Sequence, residues 1–332
     1  MNLVGKRRPK ADSAERVTGR TRYVDDLSFP GMLHAKILRS PHPHARIVSI
    51  DAERALSLPG VHAVVTGRDM PTRYGILPWT HDEYPLALER ALYVGDGVAA
   101  VAAIDEATAV EAAKLVDITW EVLPFVLDPE KALAKDAPKV NDTAKHGNVT
   151  KHVELTFGDI DGAFAASDVV AEGNYFFSGS THAAIEPHCA IGLWEPTGVL
   201  TVYSTTQVPH YLHRELAHVL GLGTDRIRVI QPPVGGAFGG KSEPFDLEFC
   251  VAKLSMLTGR PVKILYTREE VFYAHRGRHP MKMRMKIGAK KDGTLTGCDV
   301  RTPACSCTRA STRTGTRRAR AAPRRAARSS TW

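Results

Sequence analysis

Residues 232–244 read Pro-Pro-Val-Gly-Gly-Ala-Phe-Gly-Gly-Lys-Ser-Glu-Pro. Four glycines, Gly235, Gly236, Gly239 and Gly240, fall within six positions. With no Cβ in the way, their backbone can approach a bound group closely. Before them, residues 226–231 (Arg-Ile-Arg-Val-Ile-Gln) alternate as a strand. After them, residues 245–257 have helical spacing, with Leu247, Val251, Leu254 and Leu257 on or near one face. A glycine-rich loop running from a strand into a helix aims free amides at one place, which favours an anionic or oxo ligand. Gly235 to Ser242 also satisfies the phosphate-loop template G-x-x-x-x-G-K-[ST]. Two features weaken that reading. Phe238 is bulky for such a loop, and no later apolar run ends in the Asp that a magnesium site needs. A glycine turn with a packing role only is the third reading.

Three other stretches carry side chains with chemistry. Ser204-Thr-Thr-Gln207-Val-Pro209 lies at the exit of a strand, where the Gln207 amide can donate into a cleft. On its own it reads as an ordinary polar turn. Thr181-His-Ala-Ala-Ile-Glu-Pro-His-Cys189 holds two His and a Glu. Pro187 breaks any helical register between His182 and His188, so zinc is a weak reading there. His275-Arg-Gly-Arg-His-Pro280 reads as an anion grip or a solvated turn.

Residues 1–30 read as an irregular arm. From residue 31 to 125, strands and helices alternate: a strand at 32–38, the extended Arg39-Ser-Pro-His-Pro-His-Ala45, a helix capped by Asp51, a strand at Val61–Thr66, an apolar run at 98–104, an Ala-rich helix capped by Asp105, and a strand at 116–122. Residues 126–150 read as a linker. Beyond it come a short helix within 158–168, strands at Val169–Phe177 and 199–204, and an amphipathic helix at 211–222 closed by Gly221 or Gly223. A strand at 262–266 and a hairpin around Asp292-Gly293 follow. The fold class is α+β.

With 332 residues and 43% hydrophobic side chains, the chain can fill two cores. The formal charge of +8 suggests a nucleic-acid partner, but it is localised. Nine of the 44 basic residues fall in 301–332, with no acid beside them, and the remaining 35 face 36 acids. The body is near neutral, and a nucleic-acid role would rest on the tail alone. That tail contains no Leu, Ile, Val, Met or Phe and is expected to be disordered. Its Arg, Ala, Pro and Ser content is what a frameshift in a GC-rich gene produces, which we take as the reading. No apolar run of about 18 residues suggests a membrane span, and MNLVGKRRPK lacks the apolar core of a secretory signal. Five cysteines without a CxxC pair argue against a disulfide framework or a thiolate cluster. The expected compartment is the cytoplasm.

Several motifs occur in a fixed order: Arg39-Ser-Pro-His-Pro-His-Ala-Arg-Ile47, Leu58-Pro-Gly-Val61, Val94-Gly95 through Val101, Ser204-Thr-Thr-Gln207, Gly235-Gly-Ala-Phe-Gly-Gly-Lys241 and Gly277-Arg-His-Pro280. Together they resemble the molybdopterin-binding subunit of the xanthine dehydrogenase and aldehyde oxidase family, from about Val17 to Val300. The resemblance implies an N-terminal arm at 1–16, an α/β hammerhead domain at 17–125, a linker at 126–150, and the first part of the molybdenum-cofactor domain at 151–300. It implies that Gln207 hydrogen-bonds an oxo ligand of molybdenum. It also places Gly236, Phe238, Gly239 and Gly240 against the cofactor, a molybdopterin in its cytosine dinucleotide form, with no protein side chain as a direct metal ligand. FAD and [2Fe-2S] centres are expected on partner subunits, and the general-base glutamate in the family's C-terminal half. Ser242 stands where purine-oxidising members carry a Glu that contacts substrate, which argues against xanthine. The strings at 207–215, 239–245 and 273–280 look most like the 4-hydroxybenzoyl-CoA reductase branch. The implied substrate is an aromatic acyl-CoA, or else an aldehyde or N-heterocycle. Nothing in the resemblance calls for nucleic acid or a membrane.

Overall fold

Gly97–Ala103 is buried at every one of its positions, as a strand covered on both faces must be. It lies within a computed structural model that describes residues 4–76, 81–140, 144, 146–274, 276–306 and 311–320. In chain order the strands are β1 Leu33–Arg39, β2 Ala45–Asp51, β3 Val61–Thr66, β4 Arg90–Ala91, β5 Gly97–Ala103, β6 Asp117–Val122, β7 Val149–Thr156 and β8 Val169–Phe177. They continue as β9 Cys189–Trp194, β10 Leu200–Ser204, β11 Ile227–Ile230, β12 Val262–Leu265, β13 Met281–Ala289, β14 Leu295–Ser306 and β15 Ser311–Arg320. Two units emerge. One is drawn from Met1–Pro41, Arg46–Glu121 and His182–Arg276, the other from His42–Ala45, Val122–Thr181 and Gly277–Trp332.

The first unit is built on a seven-stranded sheet in the order β11-β10-β9-β12-β1-β5-β3. It takes strands from both sides of the stretch 126–150, because β1 pairs in parallel with β12. The helix Asp246–Thr258 covers one face. Leu247, Phe249, Cys250, Val251, Ala252 and Leu254 are all buried in the main core with Leu33, Leu200 and Ile264. Gly192 on β9 permits this close packing, since a Cβ there would lie 2.5 Å from the carbonyl oxygen of Val251. Leu257, expected on the buried face, is 54% exposed: the helix buries the face centred on Val251, and Leu257 lies outside it. The helix Pro209–Leu220 adds Leu212, Leu216 and Val219 to the same core. Each such side chain contributes about 1.5–3 kcal/mol on burial. Gly221 closes that helix at φ +65°, and Gly259 closes Asp246–Thr258 at +63°. Asp105 caps Glu106–Lys114 by accepting from the Thr108 amide at 2.8 Å, while Asp51 lies one residue before the N-cap of Glu53–Leu56 and accepts from Glu53 N.

Arg39 binds this unit together. Its guanidinium donates to Asp246 Oδ2 at 2.7 Å and Glu270 Oε1 at 3.1 Å, with the Tyr266 ring 4.8 Å away. The prolines after it hold an extended turn, so the Arg39 motif does structural work here.

The second unit holds a five-stranded sheet in the order β7-β15-β14-β13-β8. The hairpin of β13 and β14 turns at Asp292-Gly293, with Gly293 at φ +83°. The short helix Ile160–Ala165 lies on β14. Residues 126–150 are less free than a linker. Asn148 is buried, accepts from Val140 N, and donates to the carbonyls of Ala132 and Pro138. The expectation of disorder from residue 301 needs correcting. β14 continues through Val300 to Ser306, and β15 pairs antiparallel with β14 and parallel with β7. Strand pairing is made by backbone groups and requires no apolar side chain, so composition was the wrong test for this segment. Residues 307–310 and 321–332 lie outside the described residues. Among the described residues no helix is long and apolar enough to cross a membrane.

Candidate functional site

β10 ends at Ser204, and two threonines carry the chain on to Gln207. The turn is internally bonded: Thr206 N donates to Ser204 Oγ at 3.1 Å, and Val208 N to Thr206 Oγ1 at 3.1 Å. Gln207 then meets the glycine loop in three places. Its amide donates to the Lys241 carbonyl at 2.8 Å, while its Oε1 accepts from Gly239 N at 3.1 Å and Lys241 N at 3.3 Å. Two N–H donors on one atom identify that atom as the oxygen, which leaves Nε2 pointing away from the loop as a donor. Gln207 is exposed, so the donor faces outward.

Within the loop, Gly236 sits at φ +105°, Phe238 at +54° and Gly239 at +90°. Gly240 N donates to the Ala237 carbonyl at 2.7 Å, and Ser242 Oγ to the Gly239 carbonyl at 2.6 Å. The amides of Gly235, Gly239, Gly240 and Lys241 are thus used internally. Among the described residues those of Gly236, Ala237 and Phe238 make no hydrogen bond. Alternation of left-handed and ordinary backbone over such a stretch makes a concave set of N–H groups suited to an anion. Phe238 is 76% exposed and holds a left-handed conformation that costs an L-residue about 1–2 kcal/mol. The one other non-glycine residue with positive φ among the described residues is Ala183, at +45°.

Ala183 belongs to the stretch 181–188, and the structure brings that stretch under the loop. Glu186 Oε2 accepts from Gly235 N and from Lys241 Nζ, both at 2.8 Å. The side chain of Lys241 is only 2% exposed, and burial pushes its pKa below the usual lysine range against the pull of Glu186. A Cβ on Gly240 would lie 2.8 Å from His182 Nδ1. His188 packs its ring against Phe245 at 4.6 Å and Tyr266 at 5.4 Å. The weak zinc reading fails on this geometry, because the two histidines face separate partners. Among the described residues no group of three His, Cys, Asp or Glu is placed to hold a metal ion. Cys189 and Cys250 are buried, and burial pushes the Cys189 thiol up to about 12, so neither offers a thiolate.

The phosphate-loop reading fails on the same contacts. Its lysine must reach phosphate, and Lys241 is turned inward onto Glu186. The helix also starts only at Asp246, beyond Ser242 and Pro244. Arg276 is no anion grip either: it is paired with Glu83 and Glu243 over the Phe245 ring. His275 lies outside the described residues. Sequence reasoning missed Glu186 as a partner of the loop. The signal was its place in the stretch after His182, which we read only for metal ligands.

Residues 140–316 match the family model described as molybdopterin cofactor-binding domain, and residues 18–124 match that of the aldehyde oxidase and xanthine dehydrogenase a/b hammerhead domain. The chain belongs to the xanthine dehydrogenase and aldehyde oxidase family. It is an α+β protein in which a hammerhead domain is followed by part of a molybdopterin cofactor-binding domain. The cofactor-domain match runs to residue 316, past the point at which composition suggests a break. The chain is 39% identical over 301 residues to the nicotinate dehydrogenase large molybdopterin subunit of Eubacterium barkeri, covering 90% of this chain and 69% of that one. It is 38% identical over 296 residues to a probable xanthine dehydrogenase of Bacillus subtilis, covering 89% of this chain and 39% of that one. Among solved structures, the aldehyde oxidoreductase of Desulfovibrio gigas superposes with a TM-score of 0.83 at 28% identity, over 94% of this chain and 38% of that one. The chain therefore spans well under half the length of several of the proteins it matches.

Proposed function

We propose that this chain supplies the loop side of a molybdenum-cofactor site in a molybdenum-dependent oxidoreductase. One observation carries the reading: the outward amides of Gly236, Ala237 and Phe238 stand beside a Gln207 whose oxygen is anchored and whose Nε2 is left to donate. This donor set contains N–H groups and no soft or carboxylate ligand. It suits a group that brings its own metal ligands and presents oxo and anionic oxygens to the protein. Gln207, Gly236, Phe238, Gly239 and Gly240 would hold it: Gln207 by its Nε2 donor, Gly236 and Phe238 by their amides, Gly239 and Gly240 by shaping the loop. When bound, molybdopterin would supply the two-electron redox chemistry at the metal. The chain's own part is positioning. Gln207 fixes a donor at one angle, the loop orients three amides in advance, and exposed Phe238 offers a flat face to whatever enters. In this reading the proton-accepting glutamate comes from the part of the family's subunit beyond this chain.

For substrate we propose an electron-poor N-heterocycle or aldehyde, with an aromatic acyl-CoA, as in 4-hydroxybenzoyl-CoA reductase, as the other reading. Relatives named for nicotinate and nicotine support the first. The strings around Gln207, Ser242 and Arg276 support the second. The cytosine dinucleotide form of the cofactor, iron–sulfur and FAD partner subunits, and a cytoplasmic setting complete the proposal. The test is to express the chain with its neighbouring subunits and measure molybdenum per subunit and turnover of nicotinate, benzaldehyde and 4-hydroxybenzoyl-CoA. Molybdenum near one atom per subunit, lost on Gln207→Leu with Phe238→Pro, supports the site. Full loading in that double variant overturns it.

A further inference from the structure

We propose that Glu186 is a positioning residue that clamps the glycine loop from beneath and so sets the direction of its free amides. The proposal deepens the cofactor-site reading, and it rests on that reading for what the amides are aimed at. Both ends of the loop converge on one atom: Glu186 Oε2 takes the Gly235 amide and the Lys241 ammonium. The Glu186 amide donates back to the Gly235 carbonyl at 3.4 Å, so the two segments also meet through backbone. Gly235 allows this approach, since a Cβ there would fall 2.7 Å from the Glu186 Cβ. Gln207 holds the loop from the other side through Gly239 N and Lys241 N. The amides between the two clamps are those of Gly236, Ala237 and Phe238, the ones that bond to nothing among the described residues.

Three features set this pair apart from a device for stability. Its side chains are only 2% and 10% exposed, and a buried ion pair adds little net stability over apolar residues of the same volume. Glu186 Oε1 is buried with no partner among the described residues, which is a cost. The two strained non-glycine residues, Ala183 and Phe238, lie in the two segments the pair joins, and Ala184 sits against Gly236. A pair that costs stability and holds strain in place fixes geometry.

Amide hydrogen exchange on the full chain tests this in the parent, Glu186→Gln, Glu186→Leu and the double variant Glu186→Leu with Lys241→Leu. Gln keeps an oxygen for Gly235 N and Lys241 Nζ; Leu keeps volume and removes both acceptors. The expected result is graded. Exchange in peptides covering 235–241 rises at least tenfold in Glu186→Leu and by less in Glu186→Gln, while peptides from Pro209–Leu220 and Leu200–Ser204 stay as in the parent. The double variant removes the unpaired charge and keeps the fold, yet its loop exchanges as fast as in Glu186→Leu. A loop that stays protected in the Leu variants, or a rise spread evenly over the unit, overturns the proposal. Molybdenum content of the assembled holoenzyme is read in parallel. A loosened loop with full molybdenum leaves the clamp standing and removes the cofactor-site reading, whereas lost molybdenum with an unchanged loop removes the clamp.

Discussion

Glu248 makes the chain less stable at neutral pH than at pH 5. It sits in the first turn of Asp246–Thr258 with a side chain buried to 3% exposure. Its Oε1 accepts from Ser204 Oγ at 2.8 Å and its Oε2 from Phe245 N at 2.7 Å. Burial pushes its pKa up from 4.5 to about 7, against the pull of those hydrogen bonds from Phe245 and Ser204. A carboxyl whose pKa is raised on folding binds its proton more tightly in the folded state. Well below its unfolded pKa both states are protonated and the group is neutral for stability. Between the unfolded and folded pKa values, 4.5 and about 7, the unfolded chain ionises while the folded one does not, and stability falls; above the folded pKa the loss is complete. A shift of about 2.5 pH units corresponds to roughly 3 kcal/mol. Glu248→Gln removes this dependence, because the amide oxygen can take Phe245 N while the NH2 donates to Ser204 Oγ. Urea unfolding of parent and variant at pH 5 and pH 8, followed by circular dichroism, measures it. The variant gains about 2 kcal/mol on the parent between those pH values, part of the loss having already occurred by pH 5. A change below about 1 kcal/mol would refute the reasoning, since the carboxyl would then be ionised in the fold without penalty.

Other expectations follow from the same contacts. Phe238→Gly relieves a left-handed φ at a largely exposed position and should raise stability by about 0.5–1 kcal/mol in the same assay; a loss would mean that the ring packs on something essential. Gln207→Glu keeps both amide bonds and should melt with the parent, whereas Gln207→Leu strips the acceptor from Gly239 N and Lys241 N and should cost about 1 kcal/mol. Millimolar magnesium-ATP should leave the melting temperature unchanged, because Lys241 is not available to phosphate; a rise of a few degrees would restore the phosphate-loop reading. Deleting residues from Ser311 onward should unprotect the amides of Val149–Thr156 while leaving Met281–Ala289 protected, since β15 alone joins β7 to the hairpin, and unchanged protection of β7 would count against that pairing.

The elements were legible where one local signal sufficed. Asp105 with its Ala-rich run, Gly221 after an amphipathic stretch, and Asp292-Gly293 between alternating residues each fixed an element by caps or turn chemistry. β9 was not legible: Cys-Ala-Ile-Gly-Leu-Trp lacks alternation because both faces are covered, and a stretch of chemistry-bearing residues ends at its first residue. The seven-stranded sheet was beyond reach too. The pairing of Leu33 with Val262 is a contact between distant parts of the chain that no local pattern encodes. The tail misled for a related reason. Composition reports what can be buried, and β15 is held by backbone pairing on both sides. At the site, Gln207 and the glycine loop stood out separately in the sequence, and their three hydrogen bonds join them.

The contact that decides between the two readings of the glycine loop is the one least visible in the sequence. The pattern from Gly235 to Ser242 serves a nucleotide phosphate or a bulkier anionic cofactor equally well, since both need close backbone and free amides. The difference lies in where Lys241 points. A lysine facing solvent at a helix start completes a phosphate site. A lysine 2% exposed, tied to a carboxylate 55 residues earlier, cannot, and its charge is spent on holding the loop. The recognition is then left to neutral donors, the amides of Gly236, Ala237 and Phe238 and the Gln207 Nε2. Neutral donors fixed in direction suit a ligand whose charge is spread over oxo and phosphate oxygens around a metal, where a mobile cation would compete with the metal for the same atoms. Glu186 therefore bears on specificity through Lys241: by neutralising the one cation in the loop, it turns a motif that resembles a nucleotide site into one that fits the family's cofactor.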